Sequence, residues 1–141
     1  MRIISSSEGD TLRIGEAIGK AVKGYEVICL LGELGSGKTA LVKGIAKGMG
    51  ILEGYQVRSP TFTLVNEYPT KKGPLIHVDL YRTRDIDLSD LVGKGLLVIE
   101  WAEGLQICQC VIRIEFLQEG RLLEITGCEE LFIDFPYGKI C

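Results

Sequence analysis

A chain of 141 residues, 46% apolar and 25% charged, has the size and composition of one globular domain around a single core. Its formal net charge of −3 provides no broad basic surface, which argues against general affinity for DNA, other nucleic acid or anionic membrane, although a local basic face is compatible with it. No apolar stretch reaches the roughly 18–20 residues of a membrane span, and "MRIISSSEGDTLRIG" lacks a secretory signal's apolar core and cleavage site, so a cytoplasmic location is expected.

Ser7 to Val22 reads as a helix, with Ser7 as cap, Asp10 three residues on, and Ile14, Ile18, Ala21 and Val22 at helical spacing. Val27 to Leu31 is a short unbroken apolar run bounded by glycine, as expected of a strand buried on both faces. Lys38 to Met49 is a second helix, apolar along Leu41, Val42, Ile45, Ala46 and Met49 and stopped by Gly50. "RSPTFTLVNEY" breaks at Pro60 and continues as a strand over Thr63 to Tyr68; "TKKGP" is a polar turn. "LIHVDLYR" carries an apolar run ending in Asp79, "DIDLSDLVG" one or two helical turns, and "LLVIEW" an apolar run ending in Glu100. "CVIRIEFL" and "RLLEIT", joined by "QEG", alternate as an antiparallel hairpin does. With no repeat or linker in evidence, residues 1–141 are expected to form a single α/β domain: a mixed, mostly parallel sheet flanked by helices, with a C-terminal antiparallel hairpin.

Five cysteines, Cys29, Cys108, Cys110, Cys128 and Cys141, are an odd number, and "CQC" has the spacing of neither a zinc pair nor a redox pair. They are read as reduced structural thiols. His77, the only histidine, is read as a structural residue of an apolar strand.

"GELGSGKT", Gly32 to Thr39, matches G-x-x-x-x-G-K-[ST] at every fixed position and lies between an expected strand and helix. Gly32, Gly35 and Gly37 permit backbone torsions that turn successive N–H groups inward. The helix that begins near Lys38 adds its N-terminal donors and the positive end of its dipole. Lys38 offers an ammonium to the β- and γ-phosphates, and the Thr39 hydroxyl can ligate Mg²⁺. A nucleoside triphosphate is therefore the expected ligand. Such a loop needs an acid at the end of a neighbouring strand; Asp79 and Glu100 both qualify, and pattern alone does not choose between them. No N-K-x-D element supports guanine selection, and no L-S-G-G-Q stretch supports a transporter ATPase. A small-molecule kinase, whose lid arginines would come from "YRTRD" at 81–85, remains an alternative.

With "GELGSGKT", "SPTFTLVNEY", "HVDLYR" and "IEW" in this order, the chain resembles the TsaE family, also called YjeE: small bacterial P-loop ATPases needed to make threonylcarbamoyladenosine in tRNA. The resemblance spans about residues 5–104, and the C-terminal hairpin follows it loosely. It implies a P-loop fold in three layers, with ATP and Mg²⁺ as cofactors. Gly35, Ser36, Gly37, Lys38, Thr39 and Ala40 would wrap the phosphates, and Thr39 with Glu100 would hold the metal. Asp79 would lie near the attacking water or in the metal's surroundings. Thr61 falls in a segment resembling a switch loop that senses the γ-phosphate. Thr11 matches a position near the base or ribose, Trp101 follows the metal-binding glutamate, and Arg121 is a looser match to a nucleotide-contacting position.

Three of these have a plainer alternative: a first-turn helix residue for Thr11, a Ser-Pro turn for Thr61, and packing for Trp101. Arg82 is open between a local pair with Asp85 and a surface role. The family would make this an ATPase, weak or partner-dependent, that acts on the TsaB–TsaD pair and touches tRNA only through that complex. A regulator that binds ATP without hydrolysing it is the remaining alternative. Between "DLYR" and "EW" the chain is shorter than the family leads one to expect, and the tail from Cys128 to Cys141 has no counterpart in it.

Overall fold

The computed structural model describes residues 1–60 and 64–132. The seven strands among these residues join one sheet: β1 (Arg2–Ser5), β2 (Val27–Gly32), β3 (Val65–Tyr68), β4 (Leu75–Asp79), β5 (Leu96–Glu100), β6 (Cys110–Phe116) and β7 (Arg121–Thr126). Their order is β1-β7-β6-β2-β5-β4-β3. The three central junctions, β6–β2, β2–β5 and β5–β4, are parallel, and the three outer ones are antiparallel. The expected mixed α/β sheet is present, with its parallel part confined to the middle, where β2, β4 and β5 are almost wholly buried. The hairpin β6–β7 forms as read. Strand β1, which the sequence reading left out, closes the sheet by pairing with β7; its burial alternates, with Ile3 facing in. Four residues are too short a pattern to announce a strand.

Two helices, α1 (Glu8–Ala21) and α2 (Lys38–Met49), match the periodic segments closely. Ser7 caps α1 by accepting from the Asp10 N–H at 3.0 Å, while the Asp10 carboxylate accepts from the Ser6 N–H at 2.9 Å. This is a variant of the capping box in which the Asp10 carboxylate returns to the N–H of the residue before the cap. At the other end of α2, Gly50 takes the left-handed conformation (φ 81°), which glycine adopts without a side-chain clash. "DIDLSDLVG" supplies a single 3₁₀ turn, Leu88–Asp90. No helix among the described residues is long and apolar enough to cross a membrane.

Both helices cover the same face of the sheet. Ile14 and Ile18 of α1, with Leu41, Ile45 and Met49 of α2, pack on Ile28, Leu30, Leu75, Leu96 and Val98. The opposite face, Val27, Ile76, Val78, Leu97 and Ile99, is covered by the loops after β4 and β5, through Leu80, Leu88 and Ala102 among others.

The helices touch backbone to backbone. A Cβ at Gly19 would lie 2.1 Å from the Ile45 carbonyl oxygen, and one at Gly48 would lie 2.1 Å from that of Glu16. Gly15 and Gly44 are as tightly placed, against Leu41 and Leu12. Two glycine pairs at four-residue spacing thus let α1 lie directly on α2, which carries the start of α1 over the start of α2 (a Cβ at Gly37 would be 3.8 Å from the Thr11 methyl).

The expectation of reduced cysteines is corrected. Cys29 is bonded to Cys108 and Cys110 to Cys128, with Cα–Cα distances of 5.7 and 5.1 Å. The parallel β2–β6 register, Ile28 beside Cys110, is what brings Cys108 to Cys29 across 79 residues of sequence. One bridge lies on each face of the sheet. No spacing rule could have shown this, because it is a product of strand order.

The glycine contact generates a stability test. Gly19→Ala is expected to lower stability by about 1–3 kcal/mol through overpacking, despite a helix-propensity gain of about 1 kcal/mol. Gly9→Ala, whose Cβ would meet nothing nearer than 3.5 Å, should be neutral or stabilising. Urea titrations of the two variants check this; equal midpoints would show that the helices can separate without loss.

Candidate nucleotide site

Three parallel strands end side by side at one edge of the sheet. Leu30 of β2 is level with Glu100 of β5, and Glu100 is level with Asp79 of β4. Loop Gly32–Gly37 leaves β2 there, turns through a Ser36 N–H bond to the Glu33 carbonyl at 3.1 Å, and enters α2. Gly32 is required by contact: a Cβ would sit 2.6 Å from Ser36 Oγ and 2.8 Å from the Ile114 carbonyl. Gly37 is required by torsion, with φ 113°.

The two helix starts differ. Helix α1 is capped by Ser7, whereas α2 begins at Gly37 with no side-chain acceptor. The first turn of any helix leaves N–H groups without intrahelical partners. At α2 those groups, with the dipole's positive end behind them, face an open cleft of about 520 Å³. That volume falls within the range of small-molecule sites.

Lys38 is 5% exposed, an unusual state for an ammonium. It donates to the carbonyls of Gly32 and Glu33, the latter at 3.1 Å, and lies 3.8 Å from the centroid of the Trp101 ring. Burial pulls its pKa below the usual lysine value, while Glu100, then Glu103 and Asp79, oppose that pull by their charge. Trp101 holds its place at φ 57°, a left-handed conformation that a bulky residue rarely adopts. Tyr81 packs on it at 4.8 Å, and Arg84 ties the turn by donating to the Trp101 and Glu103 carbonyls at 3.0 and 2.6 Å.

Glu100 is 3% exposed, and its Oε2 lies 2.5 Å from His77 Nε2. Asp79 is half-buried and accepts from the Tyr81 N–H at 2.8 Å. Both acids border the cleft. Across from them, Arg121 donates through Nε to the Ser36 carbonyl at 3.2 Å and stacks on Phe116 at 4.3 Å. Thr11 is buried, its hydroxyl 2.7 Å from that of Ser5.

Of the residues singled out from sequence, Thr11, Gly35 to Ala40, Asp79, Glu100, Trp101 and Arg121 all border this one cleft. Thr61 lies outside the described residues; Ser59, two positions before it, borders the cleft too. Sequence reading missed the wall formed by Ser5, Ser6, Ser7 and Glu8, which depends on β1 placing the start of α1 at the loop. The cap signal at Ser7 was the available clue. It also read His77 as purely structural, without its contact to Glu100.

The chain matches the family model described as "Threonylcarbamoyl adenosine biosynthesis protein TsaE" over residues 5–123. The chain belongs to the TsaE family. A protein of Aquifex aeolicus named "tRNA threonylcarbamoyladenosine biosynthesis protein TsaE" is 50% identical over 119 residues, covering 84% of this chain and 90% of the relative. A protein of Nostoc with the same name is 40% identical over 115 residues, covering 82% and 67%. The crystal structure of Bacillus subtilis YdiB superimposes with a TM-score of 0.75 at 28% identity, covering 93% of both chains. The match to the TsaE model therefore includes every residue that borders the cleft, from Ser5 to Arg121.

Lys38 and the chain's single tryptophan are in contact, so occupancy of the loop has an optical readout. Adding ATP to this TsaE-family chain should change Trp101 emission as the ammonium turns to phosphate. Lys38→Met should weaken ATP binding at least about tenfold, in line with roughly 1.5–3 kcal/mol for a charged hydrogen bond. Trp101 emission follows ATP in the wild type, and displacement of a fluorescent ATP analogue compares the wild type with Lys38→Met, which lacks the ammonium–ring contact; an unchanged dissociation constant in the variant would refute the phosphate role.

Proposed function

We propose that the chain is a Mg²⁺-dependent ATPase that serves threonylcarbamoyladenosine synthesis on tRNA by acting on the TsaB–TsaD complex. The observation that carries the ATPase reading is the convergence of an uncapped α2 start, a buried Lys38 and a buried Glu100 on one cleft. The pathway rests on membership of the TsaE family and on the names of the Aquifex and Nostoc relatives.

The residues present fit Mg²⁺. Thr39 hydroxyl and the Glu100 and Asp79 carboxylates border the cleft, and hard oxygen donors suit that ion, which usually takes one or two carboxylates and completes its shell with phosphate and water. Thr39 and Glu100 would hold it. When bound, the ion neutralises charge that builds on the β- and γ-phosphate oxygens. The chain's own groups supply the rest. Lys38 exchanges its carbonyl and ring contacts for phosphate oxygens, and the α2 N–H groups hold those oxygens in place. Asp79, fixed by the Tyr81 N–H, orients the attacking water. Thr11 and Arg121, each a neighbour of Ser5, bound the space left for ribose and base. Water then attacks the γ-phosphorus, the bond to the β-phosphate oxygen breaks, and ADP and phosphate leave.

ATP binding would favour docking on TsaB–TsaD, and hydrolysis would reset that complex. A switch of this kind needs contacts that differ between the two nucleotide states. Residues 58–63 are the proposed sensing segment, with Ser59 at the cleft's border and Pro60 limiting the loop's conformations. Exposed Leu34 and Tyr81, beside the loop and the acids, offer apolar contact to a docked partner.

Phosphate release with TsaB and TsaD present tests the proposal. Glu100→Ala should lower release on the order of 10²–10³-fold, the loss typical of one electrostatic stabiliser, while ATP affinity changes only a few fold. Wild-type release by that variant would move the metal role to Asp79. Phosphate transferred to a small acceptor without any partner would instead identify a kinase, and ATP binding without release even in the full complex a non-hydrolysing regulator. Thr61→Ala should keep ATP affinity but reduce the ATP-over-ADP preference in partner binding by about 1–3 kcal/mol. An undiminished preference would place the switch elsewhere.

A further inference from the structure

We propose that His77 is a positioning residue for the metal site: its Nε2–H holds one oxygen of Glu100 so that the other is presented to the cation. This rests on the MgATP reading above. His77 is completely buried in the middle of β4, where its strand neighbours Ile76 and Val78 are apolar. Alternation along β4 and β5 places His77, Asp79 and Glu100 on the face that α1 and α2 cover, the side from which Lys38 enters. An ionised carboxylate only accepts, so the 2.5 Å contact to Oε2 assigns the ring proton to Nε2. Nδ1 is buried and has no hydrogen-bond partner among the described residues. The ring's one polar contact among the described residues is therefore Glu100.

The same pairing reads from the acid's side. A carboxylate at 3% exposure requires partners. Among the described residues its side chain has one, His77, and that partner occupies Oε2 alone. Lys38, though near, gives its hydrogens to the Gly32 and Glu33 carbonyls. Oε1 is left as the oxygen for a cation in the cleft that Glu100 borders. Hydrogen bonds that fix a metal-binding carboxylate set the orientation of its lone pairs, and their loss typically costs 10–100-fold in metal affinity.

Two amide substitutions separate orientation from bulk. A glutamine amide can place an N–H where His Nε2 stands; an asparagine amide reaches only the Nδ1 position and leaves Glu100 unpaired. The probe is Mn²⁺ as a paramagnetic substitute, titrated into full-length protein with ATP and followed by electron paramagnetic resonance. ATP affinity in EDTA is measured in parallel. His77→Asn should bind Mn²⁺ about 10–100-fold more weakly, with ATP affinity in EDTA within about threefold of wild type. His77→Gln should recover most of the loss. Should His77→Asn not fold, His77→Gln against Glu100→Gln gives the same comparison, with near-wild-type Mn²⁺ affinity expected only in the first. Wild-type Mn²⁺ affinity in His77→Asn, or equal losses in the Asn and Gln variants, would overturn the inference. ATP-dependent Mn²⁺ binding absent from the wild type itself would remove the MgATP reading and this inference together.

Discussion

The parallel register of β2 against β5 is the constraint on which the site depends. It sets Leu30 level with Glu100, so the loop that leaves β2 passes in front of the acid that ends β5. The β4–β5 register then brings Asp79 to the same level and His77 within reach of Glu100. Parallel neighbours cannot be joined by a tight turn, so the chain must cross over between β2 and β5. Helix α2 begins that crossover, and its start therefore lies at the same sheet edge as the acids. A slip of one residue in β5 would turn Glu100 to the opposite face, away from His77 and α2.

Burial of polar groups is concentrated at this edge. Among the described residues the buried polar side chains are Ser5, Thr11, Ser36, Lys38, Thr70, His77 and Glu100; all except Thr70 border the cleft or touch a residue that does. Ser5 and Thr11 satisfy one another, and Lys38 borrows two loop carbonyls. Ser36 Oγ and His77 Nδ1 have no partner among the described residues. Such groups destabilise a fold unless paired, and a fold that collects them in one place has a use for them there. The glycine contact between α1 and α2 contributes the remaining wall, because it lets the Ser5–Thr11 segment overhang the start of α2.

How much of this was legible in sequence follows from how far each signal reaches along the chain. The strand, glycine loop and helix from Val27 to Met49 are each marked by residues within a turn of one another, and they form as read. Val27–Leu31, Leu75–Asp79 and Leu96–Glu100 are recognisable because strands buried on both faces are mostly apolar, with His77 the one polar residue inside these runs. Features that depend on strand order were not legible. Strand β1 exists by virtue of β7, the Cys29–Cys108 bridge by virtue of the β2–β6 register, and the His77–Glu100 contact by virtue of β4 beside β5. The choice between Asp79 and Glu100 was open for the same reason. Their difference is one of burial and partners, with Glu100 enclosed and bonded to His77 and Asp79 half-exposed.

A crystal structure with a non-hydrolysable ATP analogue and Mg²⁺ bears most directly on the central claim, that the edge where β2, β4 and β5 end is an MgATP site. The expected result has the β- and γ-phosphates within the Gly32–Thr39 loop, Lys38 Nζ moved from the Gly32 and Glu33 carbonyls to phosphate oxygens, and the cation between Thr39 and Glu100. Phosphates bound elsewhere, or Lys38 unmoved beside an empty loop at saturating ligand, would contradict it.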